Sequence, residues 1–547
     1  MEESKSRIIL ENFKNDFIYK KNKSNLNINF NRISFIFFIF FIISSIYIIH
    51  LIHLGSRKNL DLEPSLSDIF GKELYRADIV DRNGRYLAKT VSSIDIGINP
   101  VEIIDQKKLL VNLKLIFPNK NFNEIEKLIK KNKFFWFEKK ISEDNYEKII
   151  RLYPQKNLFS HIIGQIDEDN IGISGLEKSL DKKLKEINNP IKLTVDEDIQ
   201  YLIRKELIKY NNIFNTNGSA AILMNVNTGE ILSLVSLPDF DLNQRQKIED
   251  INFINRATKG VYELGSVFKT FTLAAALNEK ILEPETQFLD LEKSIRCGGS
   301  TISEYDLKIP SDLTAEEILV RSGNIGSVRI GQMLGLEKFI EYMNKFDLLN
   351  QMNFDIEEIG VPLKLRWGKC KLATASFGHG ITTTPIQLAK AYAIVSNGGY
   401  EINPTLIKKD KIENRKRILE EEVSLKINNI LRKIVTTKEG TASLANVVGY
   451  EVGGKTGTAQ KIINGNYSNK KINTFASIFP ISNPKFTLVV MLDEPKTNKD
   501  YIYTYRDGSG KYKGTPFNTA GWTSVEIVGQ IIDKIGPILA TKYIEVE

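Results

Sequence analysis

The chain has 547 residues, of which 42% are hydrophobic and 26% charged, a composition typical of globular proteins. This length exceeds what a single hydrophobic core usually holds, so we expect more than one folded domain. The formal net charge is +8, but the basic residues do not cluster around aromatic stacking positions. A nucleic-acid partner is therefore not expected.

The first predicted element is an apolar span from Ile33 to Leu54, which contains no charged residue. One helix of this length, at ~1.5 Å per residue, crosses a hydrocarbon core of ~30 Å. Few basic residues follow the span closely (Arg57 and Lys58), whereas many precede it: Lys5, Arg7, Lys14, Lys20, Lys21, Lys23 and Arg32. This asymmetry predicts a cytoplasmic tail (1–32), a single transmembrane anchor (33–54) and an exported remainder. The alternative is a cleaved signal peptide, but the run is longer than a usual signal core and no small-x-small cleavage site follows it.

Residues 55–190 are rich in Lys and mixed in character, with a strand-like piece at Ala77–Val80 and a polar helical stretch around Asn123–Lys133. Nothing catalytic is recognisable there, so we expect a non-catalytic domain. The pattern changes at Ile191, and residues 191–547 are predicted to form a second domain.

The second domain is predicted to combine a sheet with a block of helices between residues 256 and 440. Its predicted elements are a helix at Asp196–Lys209, strands at Ala220–Val226, Glu230–Ser236, Thr474–Phe479 and Phe486–Leu492, and a closing helix at Ser524–Ile535. The first two strands flank the turn sequence Asn227-Thr228-Gly229, which favours antiparallel pairing. The predicted fold class is therefore α+β, with a central antiparallel sheet flanked by helices.

The cysteines and histidines do not form a metal-binding pattern. Cys297 and Cys370 are the only cysteines and lack metal-ligand spacing, which leaves open whether they pair as a disulfide. His161 and His379 stand apart from any Cys or carboxylate cluster, and the other two histidines lie in the apolar span. We expect no metal and no cofactor, and a serine-histidine mechanism is poorly supported.

A candidate nucleophile and base occur in the run Gly265-Ser266-Val267-Phe268-Lys269, which precedes the helix-forming segment Thr270–Leu277. Residues three apart share one face of a helix, so Ser266 and Lys269 can bring a hydroxyl and an amine together. The same spacing occurs in three other pairs, Ser179/Lys182, Ser468/Lys471 and Ser482/Lys485. Ser266 differs from them because it follows a glycine at the start of an apolar helix, where the helix dipole favours developing negative charge.

Two further elements follow at characteristic distances. Ser322-Gly323-Asn324 comes 56 residues after Ser266, and Lys455-Thr456-Gly457-Thr458 begins 133 residues after Ser322. Alone, each could be a cap, a turn or a strand edge. In this order and spacing, the three elements resemble the penicillin-recognising serine transferases, which include penicillin-binding proteins and serine β-lactamases.

Six other segments are similar to class B penicillin-binding proteins: Arg76–Gly84, His161–Gln165, Gly175–Lys178, Asn225–Ile231, Phe377–Gly380 and Thr384–Ala389. The resemblance covers roughly residues 70 to 535. The resemblance implies a single-pass anchor, an elongated pedestal domain and a transpeptidase domain. A departure is Gly323, where many relatives carry Ser or Cys, and this could alter local backbone freedom.

The resemblance also assigns roles. Ser266 would be the acyl-accepting nucleophile, Lys269 its base, Ser322 a proton relay, Asn324 a holder of the substrate amide and of Lys269, and Lys455 a cation. The Thr456 and Thr458 hydroxyls, on either side of Gly457, would receive the substrate carboxylate. Backbone N–H groups of Ser266 and Thr458 would form an oxyanion hole.

The run Asn255–Ser266 looks like the approach to the nucleophile in FtsI-type division transpeptidases, which implies septal peptidoglycan cross-linking and inhibition by β-lactams. The implied location is the bacterial inner membrane at the septum, with the catalytic domain periplasmic. The implied partners are peptidoglycan stem peptides, an FtsW-type glycan polymerase and other division proteins. The alternatives are an elongation-specific transpeptidase, a β-lactamase, a penicillin sensor and a non-enzymatic scaffold.

Overall fold

The computed structural model describes residues 35, 38–49, 76–141, 148–187, 189–244, 253–409, 415–463 and 465–544. The chain divides into two compact units, residues 1–72 and 73–547. In the first unit, residues 35 and 38–49 of the predicted anchor are helical, while the rest of the anchor and the predicted tail lie outside the described residues. No helix in the described part of the chain has the length and apolar character needed to cross a membrane.

The second unit begins with a five-stranded sheet. Its long strand β2 (Tyr86–Ile98) pairs antiparallel with β1 (Ile79–Val80), β3 (Phe135–Ile141) and β4 (Lys148–Leu152), and β1 pairs in parallel with β5 (Ile191–Lys192). The helices of this region are α1 (Gln106–Ile116), α2 (Phe122–Lys130), α3 (Ser160–Ile163), α4 (Gly175–Ser179) and α5 (Asp181–Glu186).

A separate small core lies at the far end of β2. Ile125 and Ile129, four residues apart on one face of α2, pack there with Ile98, Leu113 and Phe137. This cluster is distinct from the main core, which draws on residues from Ala77 to Leu539.

The strands of the central sheet are β6 (Gly218–Asn225), β7 (Ile231–Leu237), β12 (Gly453–Ile463), β13 (Asn466–Phe479) and β14 (Phe486–Asp493). Their order in the sheet is β12-β13-β14-β6-β7, and every neighbouring pair is antiparallel. All eight residues of β14 and all seven of β7 are buried, because helices cover both faces of the sheet. The predicted antiparallel sheet built from distant segments is confirmed.

The sheet is flanked by helices of the predicted region and of both ends of the domain. They are α6 (Glu197–Phe214), α7 (Lys269–Asn278), α8 (Ala315–Val320), α9 (Asn324–Leu334), α10 (Leu336–Lys345), α11 (Lys369–Ala375), α12 (Pro385–Ser396), α13 (Glu421–Thr436) and α14 (Ser524–Leu539). Polar side chains cap the N-termini of two of these helices. The Asp196 carboxylate caps α6, and Thr384 with Gln387 forms a capping box on α12.

The segment from residue 256 to 440 is not wholly helical as predicted. It also contains the hairpin β9 (Ser294–Cys297) and β10 (Ser300–Ser303), and the short strands β8 (Gln287–Phe288) and β11 (Leu313–Thr314), which pair with each other. A further small hairpin near the C-terminus joins β15 (Ile502–Thr504) to β16 (Lys511–Lys513). Strands of two to four residues carry too little hydrophobic alternation to be predicted.

Candidate active site

Ser266 lies in a 3₁₀ turn, Gly265–Phe268, that leads directly into α7. Glycines let this turn approach both edge strand β12 and the segment after α11 closely. Gly265 has φ +67°, and a Cβ at Gly378, which follows α11, would lie 1.9 Å from the Gly265 carbonyl oxygen. A Cβ at Gly457 would lie 2.1 Å from the carbonyl oxygen of Leu264. The turn and the strand therefore meet backbone to backbone, and Ser266 stays partly exposed at the junction.

Lys269 begins α7 and is buried, with 1% of its surface exposed. Its Nζ donates to the Ser322 carbonyl oxygen at 2.5 Å, to Asn324 Oδ1 at 2.7 Å and to Ser322 Oγ at 3.2 Å. Among the hydrogen bonds of the described residues, none joins Ser266 Oγ to Lys269 Nζ. The Lys269 amine thus faces Ser322 and Asn324 of the second predicted element, although Lys269 itself lies only three residues after Ser266.

Ser322, Gly323 and Asn324 form the turn between α8 and α9. Ser322 adopts a left-handed conformation with φ +61°, whereas Gly323 has φ −62° and Asn324 is the first residue of α9. In this conformation the hydroxyl and the carbonyl oxygen of Ser322 both face Lys269 Nζ. A left-handed backbone is uncommon for residues other than glycine and is kept where the surrounding structure enforces it.

Lys455 reaches the same hydroxyl from β12. This fully buried lysine donates from Nζ to Ser322 Oγ at 2.8 Å and to the Thr456 carbonyl oxygen at 3.2 Å. Ser322 Oγ therefore lies between two amines, 3.2 Å from Lys269 Nζ and 2.8 Å from Lys455 Nζ. The structure brings Lys269, Ser322, Asn324 and Lys455 into one hydrogen-bonded group.

Both lysines lose proton affinity in this setting. Burial lowers the pKa of Lys269 to about 7, although the Glu304 carboxylate acts in the opposite direction. Burial, reinforced by the nearby Lys269 amine, lowers the pKa of Lys455 well below its ordinary value. Two amines beside one hydroxyl cannot both stay charged at low cost. Near neutral pH the two lysines therefore favour one positive charge between them over two.

Thr456, Gly457 and Thr458 line β12 beside the turn that carries Ser266. The Thr456 and Thr441 hydroxyls are 2.7 Å apart, and Thr458 Oγ1 accepts a hydrogen bond from the Ala520 amide at 2.9 Å. A hydroxyl that only accepts keeps its proton for donation, and a pair of hydroxyls keeps one. Both positions can therefore still donate to an incoming anion.

Comparisons with known proteins give the family. Residues 219–515 match the "Penicillin binding protein transpeptidase domain". The chain is 29% identical to a probable peptidoglycan D,D-transpeptidase FtsI of Caulobacter vibrioides, over 86% of this chain and 82% of that protein. It is 30% identical to stage V sporulation protein D of Bacillus subtilis, over 80% of this chain and 76% of that protein.

The chain belongs to the penicillin-binding protein transpeptidase family. Its predicted recognition as a class B member of the FtsI type is confirmed, as is its prediction as an enzyme. The fold agrees with a crystal structure of penicillin-binding protein 3 from Mycobacterium tuberculosis complexed with aztreonam, with a TM-score of 0.65 at 22% identity, over 85% of this chain and 97% of the other.

His379 does not take part in the lysine group of this transpeptidase. Its flanking glycines have φ +86° and +69°, and its ring stacks on Tyr467 with centroids 4.6 Å apart. Burial lowers its pKa, although the Glu263 carboxylate acts in the opposite direction. His379 thus lies in a tight turn, as its Gly-x-Gly setting indicates.

Sequence reasoning missed Ser303 and Glu304, which also contact the site. Asn324 Nδ2 donates to the Ser303 carbonyl oxygen at 2.9 Å, and the Glu304 carboxylate accepts from the amides of Asn324 at 2.7 Å and Ile325 at 2.8 Å. Glu304 follows β10, and only the hairpin's return brings it to α9, so no local sequence signal marks it.

A disulfide joins Cys297 on β9 to Cys370 on α11, with Cα atoms 5.4 Å apart. It settles the pairing that the sequence left open. No group of three or more His, Cys, Asp or Glu side chains within the described ranges could hold a metal ion.

Proposed function

We propose that this chain cross-links the stem peptides of septal peptidoglycan by D,D-transpeptidation through an acyl-enzyme on Ser266, and that β-lactams acylate the same serine. The observation that carries the proposal is the buried chain Lys269–Ser322–Lys455 beside the turn that bears Ser266, in a member of this family. Relatives named FtsI support the septal branch.

In the first step Ser266 Oγ attacks the carbonyl carbon of the penultimate D-Ala, and its proton passes to neutral Lys269. The C–N bond to the terminal D-Ala breaks, and the leaving amine takes up a proton relayed through Ser322. In the second step an amine of another stem attacks the ester carbonyl carbon and loses a proton to Lys269, the bond to Ser266 Oγ breaks, and that proton passes to Ser266 Oγ. Each proton that leaves a reacting atom is thus returned to one.

Substrate binding would decide which lysine carries the shared proton. A substrate carboxylate held by Thr456 and Thr458 would lie beside β12, the strand that also carries Lys455. Its negative charge would favour the protonated form of the Lys455 amine. Lys269 is then left neutral, as a base must be. The backbone N–H groups of Ser266 and Thr458, at a 3₁₀ N-terminus and on an edge strand, would stabilise the developing oxyanion.

The proposed domain organisation follows the sequence prediction: tail 1–32, anchor 33–54, pedestal 55–190 and transpeptidase 191–547. The asymmetry of Lys and Arg about the apolar span supports an inner-membrane protein with a periplasmic catalytic domain. An anchor of this kind would pack against other membrane helices, and an FtsW-type glycan polymerase and other division proteins are the proposed partners.

The acyl-enzyme proposal is tested by intact-mass analysis of the full chain after incubation with labelled penicillin, followed by mapping of the modified peptide. Wild type should gain one adduct on Ser266, and Ser266→Ala should gain none. Ser482→Ala, from another pair with the same Ser-x-x-Lys spacing, is the matched control and should label normally. Labelling of Ser266→Ala would overturn the assignment, and rapid hydrolysis of the adduct would indicate a β-lactamase.

The septal proposal is tested by depleting the protein in its host. Cells should continue to elongate while septa fail to close. Loss of width control with normal septation would place the chain in the elongation branch, and normal wall cross-linking throughout would favour the sensor or scaffold alternatives.

Protease added on the periplasmic side should digest the catalytic domain, and its protection would contradict the topology.

A further inference from the structure

We propose that Glu304 is a positioning residue of the transpeptidase reaction, which fixes Asn324 and through it Lys269. The inference rests on the proposed role of Lys269 as the base. It concerns a carboxylate directly after the β9–β10 hairpin, outside all three sequence elements.

The two oxygens of Glu304 are divided between two consecutive amides at the start of α9. Oε2 accepts from Asn324 N at 2.7 Å and Oε1 accepts from Ile325 N at 2.8 Å. These amides belong to the first turn, where a helix has no internal acceptors for its N–H groups. A carboxylate that satisfies both fixes the direction in which the first residue, Asn324, presents its side chain.

The same hairpin holds the Asn324 side chain. The Ser303 carbonyl oxygen accepts from Asn324 Nδ2 at 2.9 Å, which orients the amide so that Oδ1 faces Lys269 Nζ at 2.7 Å. Backbone and side chain of Asn324 are thus held by two adjacent residues of one hairpin. Asn324 in turn supplies one of the three acceptors of the Lys269 amine.

The hairpin itself is anchored at both ends. β9 and β10 pair from Ser294↔Ser303 to Cys297↔Ser300, and the disulfide ties Cys297 to Cys370 on α11. The Glu304 backbone N–H also donates to the Lys293 carbonyl oxygen at 2.9 Å. Glu304 is therefore presented by a constrained support.

The charge of Glu304 acts on the base as well. Glu304 favours the protonated form of Lys269. Lys455, on β12, donates to the same Ser322 hydroxyl as Lys269, and a second cation at that hydroxyl opposes the protonated form. Removing the Glu304 charge should make the Lys269 amine neutral at lower pH. A purely structural cap would not move this titration.

The test is the pH dependence of acylation by fluorescent penicillin, measured on the purified full chain in detergent. We expect Glu304→Gln to slow acylation roughly five- to tenfold. A neutral amide holds the first amides of α9 less firmly than a carboxylate does, so Asn324 and Lys269 are positioned less well. The acidic limb of its pH–rate profile should shift to lower pH by roughly half a unit, because the neutral form of Lys269 is favoured. Glu304→Asp, which keeps the charge, should leave the limb where it is in wild type.

Glu317→Gln is the matched control. Glu317 belongs to the capping box of α8, where its carboxylate accepts from the Thr314 amide, and the variant removes the same charge from a neighbouring helix start. It should keep the wild-type limb and rate. Slower acylation of Glu304→Gln at every pH without a shift of the limb, a wild-type profile, or an equal shift in Glu304→Asp would each overturn the inference. Failure of the proposed function is distinguishable, because it would appear as labelling that survives Ser266→Ala.

Discussion

The proposed pedestal (residues 55–190) and the catalytic site both bury cationic side chains, but they compensate the charges in opposite ways. Arg76 and Arg151 have 0% and 2% of their side chains exposed, and both contact the fully buried Glu177 carboxylate, at 2.8 and 2.6 Å. Lys269 and Lys455 are equally buried, but their direct partners are a hydroxyl, an amide and carbonyl oxygens. Paired guanidinium groups keep their charge and hold two chain segments together, whereas unpaired amines give up proton affinity and become able to exchange a proton.

The largest expected effect follows from removing the base. Lys269→Met keeps the length of the side chain but not the amine, so acylation by penicillin should slow roughly 10²- to 10⁴-fold. The variant should still fold, because no carboxylate is left without its cation. Lys182→Met, in another Ser-x-x-Lys pair with 90% of the lysine side chain exposed, is the control and should acylate normally. Acylation of Lys269→Met at the wild-type rate would require a different base.

The pedestal should respond in the opposite way. Glu177→Gln leaves Arg151 as a buried cation without a carboxylate and Arg76 with only Asp181, so the free energy of unfolding should fall by about 3–5 kcal/mol. The acylation rate of the protein that remains folded should be close to wild type. Chemical denaturation measures the first quantity and penicillin labelling the second. Glu186→Gln, from an exposed pair, should change neither, and a Glu177→Gln protein of normal stability would show that the pair does not hold the region together.

The sequence could predict much of this catalytic site but little of the pedestal's ion pairs. Ser266, Lys269, Ser322, Asn324 and Lys455 lie in short elements whose order and spacing are informative, and the structure brings the last four together. The strands β6, β7 and β14 could be predicted because apolar residues fill them. Arg76, Arg151 and Glu177 are separated by up to about a hundred residues of ordinary charged sequence, and only the fold selects these partners. Glu304 was missed for the same reason.

Loss of the disulfide should have an intermediate effect on stability. The bridge closes a loop between residues 73 apart, so Cys297→Ser with Cys370→Ser should lower the free energy of unfolding by about 2–4 kcal/mol. The hairpin that carries Glu304 should also become less constrained, and acylation should slow with it. Reduction of wild type should reproduce the loss. Unchanged unfolding in both experiments would show that packing alone holds the hairpin.

The pH dependence of acylation sharpens the comparison at the level of one proton. Because the pKa of Lys269 is lowered to about 7, the neutral amine becomes scarce below that pH. The acylation rate should therefore rise about tenfold for each pH unit well below 7 and level off above it. Lys269→Met should lack this limb, and Glu177→Gln should retain it. A flat profile for wild type between pH 5 and pH 8 would contradict the assignment of Lys269 as the titrating base.

The smallest effect is expected at Gly323, the residue that departs from the family pattern. Its φ of −62° is accessible to any L-residue, and the left-handed residue of this turn is Ser322, so glycine is not required for backbone freedom. A Cβ at residue 323 would find Glu304 Oε1 at 3.6 Å and the Ile318 carbonyl oxygen at 3.8 Å, which are ordinary contacts. Because serine restricts the unfolded chain more than glycine and is a better N-cap for α9, Gly323→Ser should raise the free energy of unfolding by about 0.5 kcal/mol. The acylation rate should stay within about twofold of wild type, as for a substitution that leaves its neighbours in place. Thermal unfolding and penicillin labelling measure the two quantities. A destabilised Gly323→Ser protein would show that the turn does not accept a Cβ, and a much slower one would show that the reaction requires glycine at this position.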